Sequence, residues 1–233
     1  MLLSPPRPLD EQIASTADWT PPKHEFRPSS LGSCPQYANY HIHDEEPEIL
    51  EVGRHIMFSV GHAAEAAWIE WVNENWGLHV SHGVELNNGF GGTCHPDGVD
   101  WTTRTIYEIK HTAYKSAAEY HKAQLRWYLM RMNNETMRDD WKGVVVLIDK
   151  FGKEPILEEI SYPTPAEQWE LYERALMQRG EMTPQRLCTS HEQATTKAKY
   201  YDAYGPPPGS RTVMACPYAD RCFPGEGCDG FDS

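Results

Sequence analysis

The sequence predicts an α/β fold in which a mixed central sheet is flanked by helices. Apolar patterns follow one another in the order helix, three strands, helix, two strands and further helices. The run Val144–Ile148 reads VVVLI, which is typical of a central strand buried on both faces. A chain of 233 residues is long enough to bury one good core. These observations together favour a single mixed α/β core.

The first half of the chain begins with a long helix predicted over 46–76. Apolar residues recur in it at spacings of three and four, namely Ile49, Val52, Ile56, Val60, Ala63, Ala67 and Trp71. Gly53 and Gly61 interrupt the pattern, and such glycines often mark close packing of the backbone. Three strand-like runs follow, at about 78–87, 92–101 and 104–111, and then a helix near 115–134.

The second half continues with the strand in 142–150 and a partner strand at 154–161, across a turn at Phe151–Gly152. A helix is predicted to begin at Thr164 or Pro165 and to end near Gly180, because Thr164 and Glu167 have the spacing of a capping box. A shorter helix is predicted over 191–203. The domain organisation that follows is an irregular segment over 1–33, a core over 34–204, and a Pro/Gly linker with a cysteine-rich tail over 205–233.

Composition restricts the location and the partners. No apolar run approaches the ~20 residues of a membrane span, and the start MLLSPPRPLDEQ is too short and proline-rich for a secretory signal. We therefore expect a cytoplasmic protein, without a membrane partner, in which disulfides are disfavoured. The net charge is −13, yet residues 104–142 contain eight Lys or Arg against five Asp or Glu. This excess fits a protein that binds a polyanion at one cleft, or equally an ordinary solvated helix face.

One group of polar residues stands on two adjacent predicted strands. Glu108 and Lys110 project from the same side of a strand, because side chains alternate. If Thr102-Thr103 is a two-residue hairpin turn, paired residue numbers add to 205 and Asp97 lies opposite Glu108. A shift of one residue would break this arrangement. Facing carboxylates need a cation, and hard oxygen ligands suit Mg²⁺ or Mn²⁺. The simpler alternative for Glu108 and Lys110 is a surface ion pair.

Asp97, Glu108 and Lys110, with the wording His95-Pro96-Asp97-Gly98, resemble the PD-(D/E)XK nuclease superfamily and its RecB-like branch, whose members have a restriction-endonuclease-like core. The resemblance implies metal ligands at Asp97 and Glu108, and a further ligand on the preceding helix. That ligand would be Glu65, with His62 as the alternative. Gln124-Leu125-Arg126-Trp127-Tyr128 is similar to the Gln-x-x-x-Tyr motif of the branch. It implies that Gln124 lies near the scissile phosphate, with Tyr128 supporting it or contacting DNA.

Each of these helix residues also has a structural interpretation. Glu65 and Gln124 could face water, while His62 and Tyr128 could belong to the core. Taken singly, the structural interpretation is the more common one for all four residues. Their order and spacing together favour the functional interpretation.

Three cysteines lie at even intervals near the end of the chain. Cys216, Cys222 and Cys228 need a fourth ligand for a tetrahedral site or a cubane cluster, and Cys34 is the best candidate. One cysteine before the core and three after it resemble the iron–sulfur nucleases of the RecB-like group, including the CRISPR-associated exonucleases. This resemblance implies a structural [4Fe-4S] cluster. Zinc is the main alternative, although zinc ligands are usually spaced more closely. Cys94 and Cys188 are interpreted as buried or incidental residues.

The resemblance implies a Mg²⁺- or Mn²⁺-dependent deoxyribonuclease, expected to be an exonuclease acting on DNA ends or single strands in repair, recombination or phage DNA metabolism. Asp97, Glu108, Lys110 and Gln124 would be its catalytic residues. No Gly-x-x-x-x-Gly-Lys-Ser/Thr loop occurs in the sequence, so a motor would be a separate helicase or recombination partner. Two alternatives stay open at this point: a non-catalytic binding module that keeps the fold, and a zinc-stabilised RNA-processing nuclease.

Overall fold

A computed structural model describes residues 26–32, 34–43, 52–112, 115–184 and Cys222. The predicted helix over 191–203, the linker and three of the six cysteines lie outside the described residues. A 3₁₀ turn (Pro28–Ser30) precedes four helices: α1 (Pro35–His43), α2 (Val52–Trp76), α3 (Glu119–Thr136) and α4 (Pro165–Gln178). The strands are β1 (Val80–Ser81), β2 (Leu86–Asn87), β3 (Thr93–Cys94), β4 (Gly98–Asp100), β5 (Thr105–Thr112), β6 (Lys142–Asp149) and β7 (Ile156–Ile160). Among the described residues, no helix has the length and apolarity needed to cross a membrane.

The main sheet has five strands in the order β1-β4-β5-β6-β7, and the mixed sheet predicted from the sequence is thereby confirmed. β5 and β6 are parallel, whereas the other neighbours are antiparallel. The predicted runs 78–87 and 92–101 are each split into two short strands, and β2 pairs with β3 in a separate small sheet. Gly83, Gly89 and Gly91 adopt positive φ angles, which turn the backbone out of the extended conformation.

Helix α2 covers one face of the main sheet, but the side of the helix that is buried is not the apolar side predicted from the sequence. Its buried residues are Trp68, Ile69 and Val72, which pack on a cluster from the strands. The predicted stripe points to solvent instead, with Ile56 exposed by 56% and Trp71 by 49%. The buried set has the same helical repeat rotated by one residue, and it places the bulkier side chains against the sheet.

Two further details of α2 differ from the prediction. The described helix begins at Val52, and residues 46–51 of the predicted span lie outside the described residues. A Cβ atom added at Gly61 would meet nothing within 4 Å, so this glycine does not mark a close approach of two backbones.

Helix α3 covers the opposite face, as the flanked sheet requires. Its residues Leu125, Leu129 and Met132 form a core cluster with Ile106 and other side chains of the strands. The helix predicted near 115–134 is confirmed, with bounds shifted by a few residues. A main core on this face and a second one under α2 hold the sheet between two helices.

Helix α4 begins with the capping box expected from the sequence. The Thr164 side chain accepts a hydrogen bond from the Glu167 N–H at 3.3 Å, and the Glu167 carboxylate accepts one from the Thr164 N–H at 2.8 Å. Asn39 of α1 closes the other end by donating to the carbonyl oxygens of Met177 and Gln178. Helix α1 is therefore fastened to the C-terminal end of α4.

The hairpin of β4 and β5 has the register predicted from the sequence. Gly98 pairs with Tyr107, Val99 with Ile106 and Asp100 with Thr105, so the paired residue numbers add to 205. The connection is a turn over 101–104, not a two-residue turn at Thr102-Thr103. The Asp100 carboxylate accepts hydrogen bonds from the N–H groups of Thr102 at 2.8 Å and Thr103 at 3.1 Å. These bonds stabilise a turn for which Thr-Thr is otherwise a poor choice.

Gly32 allows the N-terminal segment to approach α3 closely. A Cβ atom at Gly32 would stand 1.9 Å from the Tyr120 Cβ, so the two backbones would have to separate. We expect Gly32→Ala to lower the free energy of unfolding by about 1–3 kcal/mol, the usual range for overpacking. Gly61→Ala is the matched control, because its space is open and alanine favours a helix by about 1 kcal/mol. Urea unfolding of both variants measures the difference, and equal stability would contradict the close contact.

Asp100 is a fully buried carboxylate held by three backbone N–H groups, including that of His79. Burial acts to raise its pKa, but the hydrogen bonds from Thr103, His79 and Thr102 outweigh it and lower the pKa below the usual value. We expect Asp100→Ala to cost about 2–4 kcal/mol at neutral pH. Since the folded pKa is depressed, the contribution is complete above the ordinary pKa of about 3.9 and is lost as the pH falls through the lower folded value.

Chemical unfolding of wild type and Asp100→Ala between acidic and neutral pH measures this contribution. The exposed Asp139 provides the control variant, Asp139→Ala, which should follow wild type at every pH. A constant difference between wild type and Asp100→Ala down to strongly acidic pH would show that packing, not the charge, is lost.

Candidate functional site

Strand β5 brings Glu108 and Lys110 to the face that α3 covers. Ile106 of the same face belongs to the core under α3, whereas Tyr107 and Ile109 belong to the core under α2. Glu108 is 0% exposed, and its Oε1 is in direct ion-pair contact with Lys110 Nζ. The alternation expected for a strand is therefore observed, and Glu108 is buried in the fold while the Lys110 side chain is 28% exposed.

Asp97 joins this pair from the residue just before β4. Its Oδ2 accepts a hydrogen bond from the Ile109 N–H at 2.6 Å and lies 3.6 Å from Lys110 Nζ. The backbone pairing of β4 with β5 ends at Gly98 and Tyr107. Beyond it, the Asp97 side chain binds the Ile109 N–H of β5, so the same register extends by one position. The structure brings Asp97, Glu108 and Lys110 together, as the sequence register predicted.

The electrostatics of the site are dominated by burial of the two charges on β5. Burial, and then the neighbouring Asp97, raises the pKa of the Glu108 carboxyl, although Lys110 acts in the opposite direction. Burial would lower the pKa of Lys110, but Glu108 and Asp97 raise it above its usual value. Oε2 of Glu108 is buried and has no hydrogen-bond partner among the described residues. The single ammonium group of Lys110 therefore does not supply hydrogen bonds to all the carboxylate oxygens of Asp97 and Glu108.

Helix α2 contributes Glu65 from the other side of the sheet. Its charge lies near enough to raise the pKa of both Glu108 and Lys110. His62, one turn earlier, places Nδ1 at 3.2 Å from Glu65 Oε2, and its side chain is 78% exposed. Of the two residues predicted for this position, Glu65 is the one whose charge raises the pKa of Glu108, while the mostly exposed His62 contacts Glu65.

Helix α3 contributes the two residues of the Gln-x-x-x-Tyr pattern. Gln124 and Tyr128 are both buried, and the Gln124 Nε2 donates a hydrogen bond to the Tyr128 hydroxyl at 3.0 Å. Burial and then Glu108 raise the pKa of Tyr128, with a smaller contribution from Asp97. Both side chains therefore belong to the surroundings of the carboxylates and not to a solvated helix face.

His121 is a residue of this site that the sequence interpretation missed. It lies one turn before Gln124 on α3 and is 4% exposed. Burial, and then the charge of Lys110, lower its pKa to about 3. The available signal was its spacing of three residues from Gln124, which places both on one helix face.

The basic excess of 104–142 does not form an unpaired surface. Five of its eight cationic side chains make ion pairs with carboxylates of the fold. They are Arg104, Lys110, Lys122, Arg126 and Arg138. Most of the positively charged side chains of 104–142 are therefore paired with carboxylates of the same protein.

The predicted cysteine site is described only in part. Cys34 is buried and Cys222 half-buried, whereas Cys216 and Cys228 lie outside the described residues. Cys94 is a core residue, as expected, and burial raises the pKa of its thiol to about 12. In the described ranges, no group of three His, Cys, Asp or Glu side chains converges closely enough to hold a metal ion as it stands. The ammonium of Lys110 accompanies Asp97 and Glu108 instead.

Comparisons with known proteins identify solved structures that share the fold of this chain. No family model matches the chain, and no curated protein matches at the level of sequence. A solved structure of a protein named SSO0001 aligns with a TM-score of 0.50 and 18% identity over 76% of this chain and 86% of that one. An alkaline exonuclease from Laribacter hongkongensis aligns with a TM-score of 0.50 and 14% identity over 74% and 91%. The chain shares its fold with these proteins, in agreement with the predicted mixed sheet and flanking helices.

Proposed function

We propose that this chain is a metal-dependent DNA nuclease, an exonuclease that hydrolyses phosphodiester bonds at DNA ends or in single strands. The observation that carries the proposal is the contact of the Lys110 ammonium with Asp97 and with the fully buried Glu108, which come from two different segments of the chain. The fold likeness to a protein named an alkaline exonuclease supports it. A surface ion pair does not account for this site, because Glu108 has no exposure to solvent.

The chemistry of the donor set suits a divalent cation, although Glu65, Asp97 and Glu108 do not converge closely enough to hold one in the described structure as it stands. Glu108 offers a buried oxygen without a hydrogen-bond partner among the described residues, and burial together with Asp97 raises its pKa, as expected for a carboxylate that lacks a full counter-charge. Carboxylate oxygens are the ligands that Mg²⁺ and Mn²⁺ prefer. Glu65, Asp97 and Glu108 would hold the ion. When bound, it would act as a Lewis acid and make water a nucleophile near neutral pH.

The other side chains would orient the substrate and neutralise charge. The Lys110 ammonium is placed to hold the attacking water or to stabilise negative charge that develops on the phosphate. The Gln124 amide donates one hydrogen to the Tyr128 hydroxyl and keeps a second hydrogen for a phosphate oxygen. Burial of both residues fixes the direction of that donor. Tyr128 is in this proposal a positioning residue for Gln124.

The direct test measures cleavage of labelled single-stranded, linear duplex and circular DNA with Mg²⁺ or Mn²⁺, beside RNA of the same sequence. Lys110→Met and Glu108→Gln should each lower kcat about a hundredfold or more, the loss usual for a group that stabilises transition-state charge. The exposed Glu159 supplies the control, Glu159→Gln, which should cleave like wild type. An exonuclease leaves circular DNA intact. Absence of cleavage by wild type, or undiminished cleavage by Lys110→Met, would refute the proposal.

Glu65 and His62 have different proposed roles, and the structure offers a way to separate them. Since Glu65 is the residue that acts on Glu108 and Lys110, we expect Glu65→Gln to lower activity at least about tenfold and to raise the Mn²⁺ concentration needed for half activity. His62 contacts Glu65 and is mostly in solvent, so the activity of His62→Ala should fall by less than about tenfold. The reverse order of the two effects would identify His62 as the ligand.

We further propose that Cys34, Cys216, Cys222 and Cys228 hold a [4Fe-4S] cluster, with zinc as the alternative, and that the tail over 205–233 thereby completes the core over 34–204. The even spacing of the three later cysteines and the burial of Cys34 support this proposal. We expect the purified protein to be brown, because iron–sulfur clusters absorb visible light, whereas Zn²⁺ is a d¹⁰ ion without such absorption. Cys222→Ser should lose the colour and Cys94→Ser should keep it; a colourless protein that contains zinc would decide for the alternative.

A further inference from the structure

The N-terminal end of α3 has no capping side chain of its own. Its N-cap residue is Ala118, whose methyl group cannot accept a hydrogen bond, whereas serine, threonine, asparagine or aspartate is preferred at this place. Gln124, which the proposed function places at the phosphate, lies less than two turns further along the helix. The direction of the Gln124 amide therefore depends on how firmly this end of α3 is held.

A carboxylate from a distant strand holds the chain at this point. Glu158 of β7 accepts a hydrogen bond from the Ala117 N–H at 2.8 Å through Oε2, and its Oε1 lies 2.9 Å from the Lys122 ammonium. Burial acts to raise the pKa of Glu158, but the Ala117 hydrogen bond and the contact with Lys122 outweigh it and lower the pKa. One ionised carboxylate thus binds the chain just before α3 and again one turn inside the helix.

The register of the sheet places Glu158 in line with the proposed active site. Glu108 of β5 pairs with Val145 of β6, and Val145 pairs with Glu158 of β7. Val145 belongs to the core under α3, and directly paired residues point to the same face of a sheet. Glu158 therefore lies on the face that α3 covers, two strand spacings or about 10 Å from Glu108. The carboxylate that holds the helix and the carboxylate of the site belong to one row across the sheet.

Further along, α3 makes close apolar contacts with β6. Leu125 and Leu129 pack over Gly143, where an added Cβ atom would stand 3.0 Å from the Leu125 side chain. Apolar contacts have no preferred direction, so they do not by themselves fix the position of a helix along its axis. At the C-terminal end, Arg131 donates a hydrogen bond to the Asn87 carbonyl at 2.7 Å. Directional contacts thus hold α3 at both ends, with the side chain from β7 at the end nearer the catalytic glutamine.

We propose that Glu158 is a positioning residue for Gln124: by accepting the Ala117 N–H, it fixes the start of α3 and with it the direction of the Gln124 amide. The catalytic consequence rests on the proposed function, whereas the positioning itself does not. The hydrogen bond to the backbone is the effective contact, because a hydrogen bond to a carboxylate is a strong one. The ion pair with Lys122 is partly exposed, and such pairs contribute little.

Four variants separate the hydrogen bond from the ion pair and from stability. Glu158→Ala removes both contacts, Glu158→Gln keeps an acceptor oxygen for the Ala117 N–H, and Lys122→Met removes the ion pair alone. Ile160→Val is the control for stability, because Ile160 is buried in the core under α3 from the same face of β7. We expect Glu158→Ala and Ile160→Val each to lower the Tm by about 2–4 °C, so that both remain folded.

The first measurement is made without metal or DNA. The rate at which the buried side-chain amide hydrogens of Gln124 exchange with water is followed by ¹⁵N NMR, with the signals assigned by their loss in Gln124→Leu. We expect exchange to be at least about threefold faster in Glu158→Ala and within about twofold of wild type in Glu158→Gln, Lys122→Met and Ile160→Val. Equal rates in wild type and Glu158→Ala would overturn the inference. So would equally fast exchange in Ile160→Val, since that result would assign the effect to stability alone.

The second measurement uses the cleavage assay. We expect Glu158→Ala to lower kcat about tenfold while the KM for the oligonucleotide changes less than about threefold, and Glu158→Gln to recover most of the loss. A rise in KM alone, or an equal loss of kcat in Ile160→Val, would contradict a role through Gln124. If wild type cleaves no substrate, the proposed function fails, whereas the NMR comparison still decides whether Glu158 positions Gln124.

Discussion

The architecture of the site depends on one electrostatic constraint, the complete burial of the Glu108 carboxylate in a central strand. An unpaired charge there would be expensive, and a hydrophobic residue would pack more simply. Lys110, two residues on, reaches the same face and shares its ammonium with Asp97. The hairpin register, the hydrogen bond from the Ile109 N–H to Asp97 and the buried polar side chains Gln124 and Tyr128 of α3 all contribute to the surroundings of this charge. The fold around it is otherwise built from three clusters of buried hydrophobic side chains.

Much of this arrangement could be predicted from the sequence where the signal is local. Side-chain alternation placed Glu108 and Lys110 on one face, and adding residue numbers placed Asp97 opposite Glu108, even though the assumed turn was too short. The capping box of Thr164 and Glu167 marked the start of α4 correctly. Such signals succeed because only neighbouring residues decide them.

The signals that failed depend on distant parts of the chain. An apolar stripe in the sequence of α2 predicts that one side of the helix is buried. Which side is buried depends on packing against the sheet, and the buried residues are Trp68, Ile69 and Val72. Likewise the charge count of 104–142 could not reveal that acidic residues elsewhere, such as Glu158 and Glu167, would pair with its cations. His121 escaped notice because a lone histidine on a helix becomes informative only once Lys110 is known to lie near it.

The turn over 101–104 has a consequence for how this chain can change in evolution. Because the Asp100 carboxylate is bonded inside the turn and Asp97 is bonded to the strand beyond it, the hairpin length is fixed at both ends. An insertion there would turn one carboxylate to the wrong face of the sheet. The exposed turn between β6 and β7 holds none of the proposed site residues. Among related sequences, length variation should therefore accumulate around Phe151 and be excluded between Asp97 and Glu108.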